Sequence, residues 1–185
     1  MIKRSILSLL LLLVSVTLLA KPKVIFGTFV GLMGERRALV ELDYSRTNFG
    51  VGLTEAEVVD MEKFHDSWKD DLLGLFCRYS NEETQNRGFL LTTNKQLEDI
   101  HYRIVICPQQ VDDDGEVKGV ICLYKVGGET AVTGRNAQSD TNGSQLVGKV
   151  TFHGEGGRIG TRLNLMGDGM KRSGKEFGKF LKGLL

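Results

Sequence analysis

Cysteine and histidine are both scarce in this chain, with three of each in 185 residues. The histidines, His65, His101 and His153, stand in no HExxH, HxH or mixed Cys/His spacing, so the sequence offers no metal site. Cys77, Cys107 and Cys122 are too few for a disulfide-built scaffold, and stability must come from a hydrophobic core. Their odd number leaves at least one thiol unpaired within the chain. All three occupy apolar periodic positions, where buried and unreactive thiols are expected. No serine stands in a GxSxG elbow. An excess of positive charge is lacking too: 24 basic residues face 23 acidic ones. That balance excludes the basic footprint of a nucleic-acid-binding surface.

What the sequence does have begins at its start. Lys3 and Arg4 precede an uncharged apolar run over residues 6–19, and Ala20 follows as a small residue before Lys21. This order is that of a secretory signal peptide. The run is shorter than the roughly 20 residues of a membrane-spanning helix. We expect cleavage after Ala20 and export to the periplasm or cell envelope. No cysteine follows the run as a lipid acceptor. Removing residues 1–20 takes away two basic groups and no acidic one, leaving 22 against 23. Residues 21–185 have the length of one domain.

Strands are expected over residues 23–30 and 37–44, the second alternating Ala38, Val40, Leu42 and Tyr44 on one face, with the two joined as a hairpin. Thr54-Glu55-Ala56-Glu57 is a capping box, with Leu53 and Val58 as its hydrophobic staple. Helical spacing of Val58, Met61, His65, Trp68, Leu72, Leu75, Phe76 and Tyr79 predicts one helix over residues 54–79, with His65 on its apolar side. Short strand character follows at residues 89–92. Residues 102–111 and 116–126 form the clearest strand pair, turning at Asp114-Gly115. Both of its faces are apolar, which predicts a central position covered on much of both sides. A two-residue turn would set Cys107 opposite Cys122. Residues 127–143 read as a glycine-rich loop with a short strand near residues 130–133. A last strand over residues 145–153 precedes a glycine-rich bend at residues 154–160 and a helical region over residues 161–185.

The two loops that resemble ligand motifs fail in detail. In the bend, the third glycine of a dinucleotide fingerprint would fall at position 159, which is Ile159, and the Lys-Ser/Thr of a phosphate loop is missing. In the acidic turn, calcium-loop spacing puts Gln110 and Ile121 where the first and last acids belong. The sequence therefore assigns no catalytic residue, no cofactor and no metal ligand. The last helix carries Lys171, Arg172, Lys175, Lys179 and Lys182 beside a Phe177, Phe180, Leu181 and Leu184 stripe. These basic residues are the candidate interaction surface. They would suit an anionic membrane, but a solvated face over a core-facing stripe is the favoured reading. Gly167-Asp168-Gly169 predicts a break in this helix, and Gly174 and Gly178 a close backbone approach.

Three stretches carry a resemblance: Glu41-Leu-Asp-Tyr-Ser45, the strand pair with its Asp-Asp-Asp-Gly turn, and residues 157–170 with Gly174-Lys-Glu-Phe-Gly-Lys179. They resemble small exported proteins of unknown function from Gram-negative gut bacteria. More distantly, the final strand, bend and helix resemble envelope lipoprotein domains of the curli-export type. The resemblance implies an envelope location and carries no active site with it.

The expected architecture is α+β, an antiparallel or mixed sheet of five to seven strands with two main helices. A three-layer α/β arrangement is the alternative. The expected function is non-enzymatic, through binding another envelope protein and not nucleic acid. The alternatives are a small secreted hydrolase or ligand-binding domain, and peripheral membrane association.

Overall fold

The computed structural model describes residues 21–50, 52–127 and 144–185. The signal segment over residues 1–20 and the short strand expected near residues 130–133 lie outside the described residues. The architecture is α+β. A mixed six-stranded sheet has the order β1-β6-β5-β4-β2-β3. Its strands are β1 (Val24–Gly27), β2 (Arg37–Leu42), β3 (Leu90–Thr92), β4 (Tyr102–Val111), β5 (Val117–Lys125) and β6 (Gln145–Gly154). The helices are α1 (Glu55–Glu62), α2 (Trp68–Thr84) and α3 (Arg162–Leu184). No helix among the described residues is long and apolar enough to cross a membrane.

The first two strands do not form a hairpin. β1 pairs antiparallel with β6 at the sheet margin, whereas β2 lies parallel to β3 and β4. The 3-10 turn Val30–Leu32 carries the chain away from β1, and Phe29 and Leu32 sink into the core. That burial outweighs local hairpin closure.

The single helix expected over residues 54–79 is two. Thr54 caps α1 as expected: its hydroxyl accepts from the Glu57 amide, and the Glu57 carboxylate accepts from the Thr54 amide at 2.7 Å. Lys63 then turns left-handed at φ 52° and ends α1. The break lets Phe64 lean on Trp68, whose ring centroid is 5.3 Å away, while Trp68 meets Tyr44 at 5.1 Å. As a result His65 and Met61 are exposed rather than on a core-facing stripe. Helix α2 runs on to Thr84, through the polar stretch expected to end it. Ser80 and Thr84 are buried, and the Thr84 hydroxyl donates to the Phe89 carbonyl at 2.9 Å.

Helix α3 is unbroken. Gly167 and Gly169 do not kink it; they let it touch its neighbours. A Cβ on Gly169 would come within 2.4 Å of the Gly115 oxygen, and one on Gly154 within 1.9 Å of the Gly169 oxygen. Gly174 and Gly178 do serve close approach, but against α2 rather than the sheet.

Helices α2 and α3 pack on each other, with α3 also on β5 and β6 and α2 on β2 and β3. Under them lie Ala38, Val40, Ile104, Ile106, Ile121, Leu123, Val150 and Phe152, all buried. The opposite sheet face is only partly buried at Val105, Cys107, Val120 and Tyr124. Covering on both faces, and with it the three-layer alternative, is therefore not found among the described residues. The apolar runs of β4 and β5 reflect one packed face and one half-exposed face.

Candidate functional site

The half-exposed face holds a further arrangement that sequence spacing misplaced. The β4–β5 loop has three residues, Asp113, Asp114 and Gly115, flanked by Asp112 and Glu116. The Gly115 amide donates to the Asp112 carbonyl and the Asp112 amide to the Glu116 carbonyl, both at 2.9 Å. Gly115 takes φ 78°, the left-handed position that closes such a loop with a bulge. A second irregularity lies between Pro108 and Gln110. Proline supplies no ladder donor there, and the Gln109 carbonyl instead accepts from Asn48 at 3.0 Å. Each irregularity shifts the register by one residue. Cys107 therefore stands opposite Val120, and Cys122 opposite Val105.

The two cysteines become diagonal neighbours on one face, and their thiols interact. Cys107 is half-buried and Cys122 buried. On the far side of Cys122, Lys149 of β6 is its register partner. A groove of about 390 Å³ opens over the pair, lined also by Asp43, Arg46 and Tyr124. The contact with Cys107 pulls the Cys122 thiol down to about 7, against burial and with help from Lys149. The same contact, with burial, holds Cys107 well above the ordinary thiol value. Cys77, on α2, differs: burial pushes it up to about 12. Cys77 and Cys122 are buried as the sequence predicts, whereas Cys107 is only half-buried.

Beside this groove, Glu41 receives Arg103 at 2.8 Å and Lys95 at 3.1 Å. Burial acts to raise the Glu41 carboxyl, but these two cations outweigh it and hold it below the usual carboxylate range.

The acidic turn is a solvated, internally paired loop. Asp112, Asp114 and Glu116 lie close together. Lys118 reaches Glu116 at 2.9 Å, His153 bonds Glu116, and Arg162 reaches Asp113 at 2.6 Å. A Cβ on Gly156 would fall 1.8 Å from the Asp114 oxygen, so the glycine bend packs against the acidic turn. His101 contacts Glu35 at 3.0 Å, and His65 bonds Ser67 at 3.2 Å and meets Asp71 at 3.4 Å. No two of the three histidines are brought together.

The basic residues of α3 are mostly paired. Lys171 meets Asp168 at 2.9 Å, Arg172 meets Glu155 at 3.2 Å, Lys179 meets Glu176 at 2.6 Å, and Lys182 meets Glu83 at 3.5 Å. Lys175 is exposed and, among the described residues, has no carboxylate partner.

The sheet margins differ from one another. At β3, Asn81 closes the edge: its side chain accepts from the Leu91 amide at 2.7 Å and donates to the Leu91 carbonyl at 3.0 Å. At β1, among the described residues, a strand lies on one side only. Val24, Ile25 and Phe26 are 42%, 52% and 41% exposed there, with Val30 and Met33 exposed just beyond. Sequence reasoning missed this surface because residues 23–30 read as a strand hairpinned to the next, not as a sheet margin.

No family model matches the chain, and no curated protein matches it. Among solved structures, a PelC dodecamer from Paraburkholderia phytofirmans is similar over 85% of this chain and 98% of its own, at a TM-score of 0.37 and 7% identity. At that level the likeness carries no structural or functional argument.

Proposed function

We propose that the chain is a single-domain exported protein of the periplasm or cell envelope. In this reading it works without catalysis, by accepting an extended apolar strand of another envelope protein along β1. The observation that carries this reading is the contrast between the two sheet margins. An edge strand presents unpaired backbone groups that template a further strand, and folded proteins commonly block such edges. β3 is blocked by Asn81; β1 instead exposes Val24, Ile25 and Phe26. The signal-like segment over residues 1–20 supports export, and the near-balanced charge argues for an apolar rather than an electrostatic partner surface. The pairing of most α3 cations supports this reading over membrane association.

Recovery of bound protein from envelope fractions tests this reading. Ile25→Lys with Phe26→Lys should abolish recovery while circular dichroism stays unchanged. Lys175→Glu with Lys179→Glu should leave it intact. The opposite pattern would favour the helix surface over the strand edge.

A further inference from the structure

We propose that Cys107 and Cys122 form a two-thiolate binding site for a soft monovalent cation of the copper(I) class, on the half-exposed face of the sheet. The register is the first ground. Cys107 pairs with Val120 and Cys122 with Val105, so the cysteines are diagonal neighbours on adjacent central strands. Diagonal neighbours stand roughly 7–8 Å apart. Disulfides span Cα separations of about 4.4–6.8 Å, and wider pairs need backbone movement. β4 is held by β2 and β5, and β5 by β4 and β6, which resists that movement. The two cysteines thus line one groove without being placed to bond.

A bridging ion removes the mismatch. Thiolate–metal bonds of about 2.3 Å let two sulfurs sit up to about 4.6 Å apart across one ion. Thiolates select soft ions such as copper(I) and zinc. The donor set chooses between them. Zinc takes four ligands in closed sites, whereas this groove offers two thiols and the single carboxylate of Asp43, with no histidine or third cysteine. Cys77 lies on α2. A two-thiolate set is suited to copper(I), which accepts two sulfurs on opposite sides.

Charge and access agree. Binding converts two thiols and one monovalent cation into a complex of charge −1, with two protons released. Lys149, the register partner of Cys122, lies beside it to balance that charge. Val120, which lines the groove, and Val105 occupy the other two corners of the quartet and give the pair an apolar surround on the sheet. The groove of about 390 Å³ admits a hydrated or chelated ion from solvent.

Anaerobic titration of the purified chain with copper(I), against bicinchoninate as a coloured competitor, tests the site. One ion per chain should be withdrawn from the chelator. Cys107→Ser and Cys122→Ser should each abolish withdrawal, whereas Cys77→Ser should not. Lys149→Met should weaken it about 10- to 100-fold, as loss of supporting residues around a metal does. X-ray absorption of the loaded chain should show two sulfur neighbours and no others, a readout that survives if the serine variants fail to fold. Failure to compete, retention of the ion by either serine variant, or a third ligand would overturn the proposal. So would a 107–122 disulfide formed on exposure to glutathione disulfide.

Discussion

Gly174 of α3 lies against the Phe76 carbonyl of α2 so closely that an added Cβ would stand 2.4 Å from that oxygen. Gly178 repeats the contact one turn later, with its Cβ position 2.6 Å from the Ser80 oxygen. The obstacle is backbone, which cannot rotate aside. Gly174→Ala should therefore destabilise by about 1–3 kcal/mol through overpacking, despite the roughly 1 kcal/mol that alanine gains in a helix. Gly74, inside α2, has nothing within 4 Å of its Cβ position, so Gly74→Ala should stabilise. Urea titration of both variants should give opposite signs. Equal stabilisation would show that the helices are not in backbone contact.

The start of the helical region should show a similar separation of effects. Thr54→Ala removes an exposed cap and should cost about 1 kcal/mol. Trp68 is 4% exposed and held between Tyr44 and Phe64, so Trp68→Ala should cost about 3–5 kcal/mol. Denaturant midpoints rank the two. Similar small losses would place the indole in solvent.

Glu41 predicts an acid limb in the stability curve. Its folded carboxyl lies below the ordinary value of 4.5, because Arg103 and Lys95 outweigh burial. A depressed carboxylate contributes stability that is fully present above its unfolded pKa and lost as pH falls through the folded one. The advantage of the parent chain over Glu41→Gln should hold above about pH 4.5 and shrink below it. Parallel thermal melts across that window measure the difference. A gap independent of pH would mean that the Arg103 contact contributes no charge-dependent stability.

The thiols should react unequally in the folded chain. Cys77 is buried, and its thiol is pushed up to about 12. At neutral pH it should resist iodoacetamide while Cys122, whose thiol is drawn down beside Cys107 and lines the groove, is labelled, since the thiolate is the reacting species and access is required. Mass spectrometry of peptides from native alkylation reads the order. Cys77 labelling ahead of Cys122 would contradict it.

Much of this fold was legible residue by residue. The Thr54 cap, the alternation over residues 102–111, and Thr161 before an apolar helical stripe are local signals, and each element forms where they point. The departures come from long-range contacts. Nothing near Lys63 forecasts a left-handed residue; the break follows from the packing of Phe64, Trp68 and Tyr44. Gly167-Asp168-Gly169 reads as a helix break, but Gly169 answers to the backbones of β6 and the acidic turn, and Gly167 to the Leu75 side chain of α2. Cys107 and Cys122 were placed on one face, yet their register depends on a bulge whose carbonyl is taken by Asn48. The β1 surface was not legible, because the strand pairs with β6, more than a hundred residues away in sequence.

Photo-crosslinking in intact cells tests the strand-edge proposal most directly, with a photoreactive residue placed singly at Ile25, Leu90 or Lys175. Those positions report the open margin, the margin closed by Asn81 and the unpaired cation of α3. The prediction is a discrete adduct with another envelope polypeptide from position 25, and none from positions 90 and 175. Adducts from position 175 or 90 without one from position 25 would contradict binding along β1.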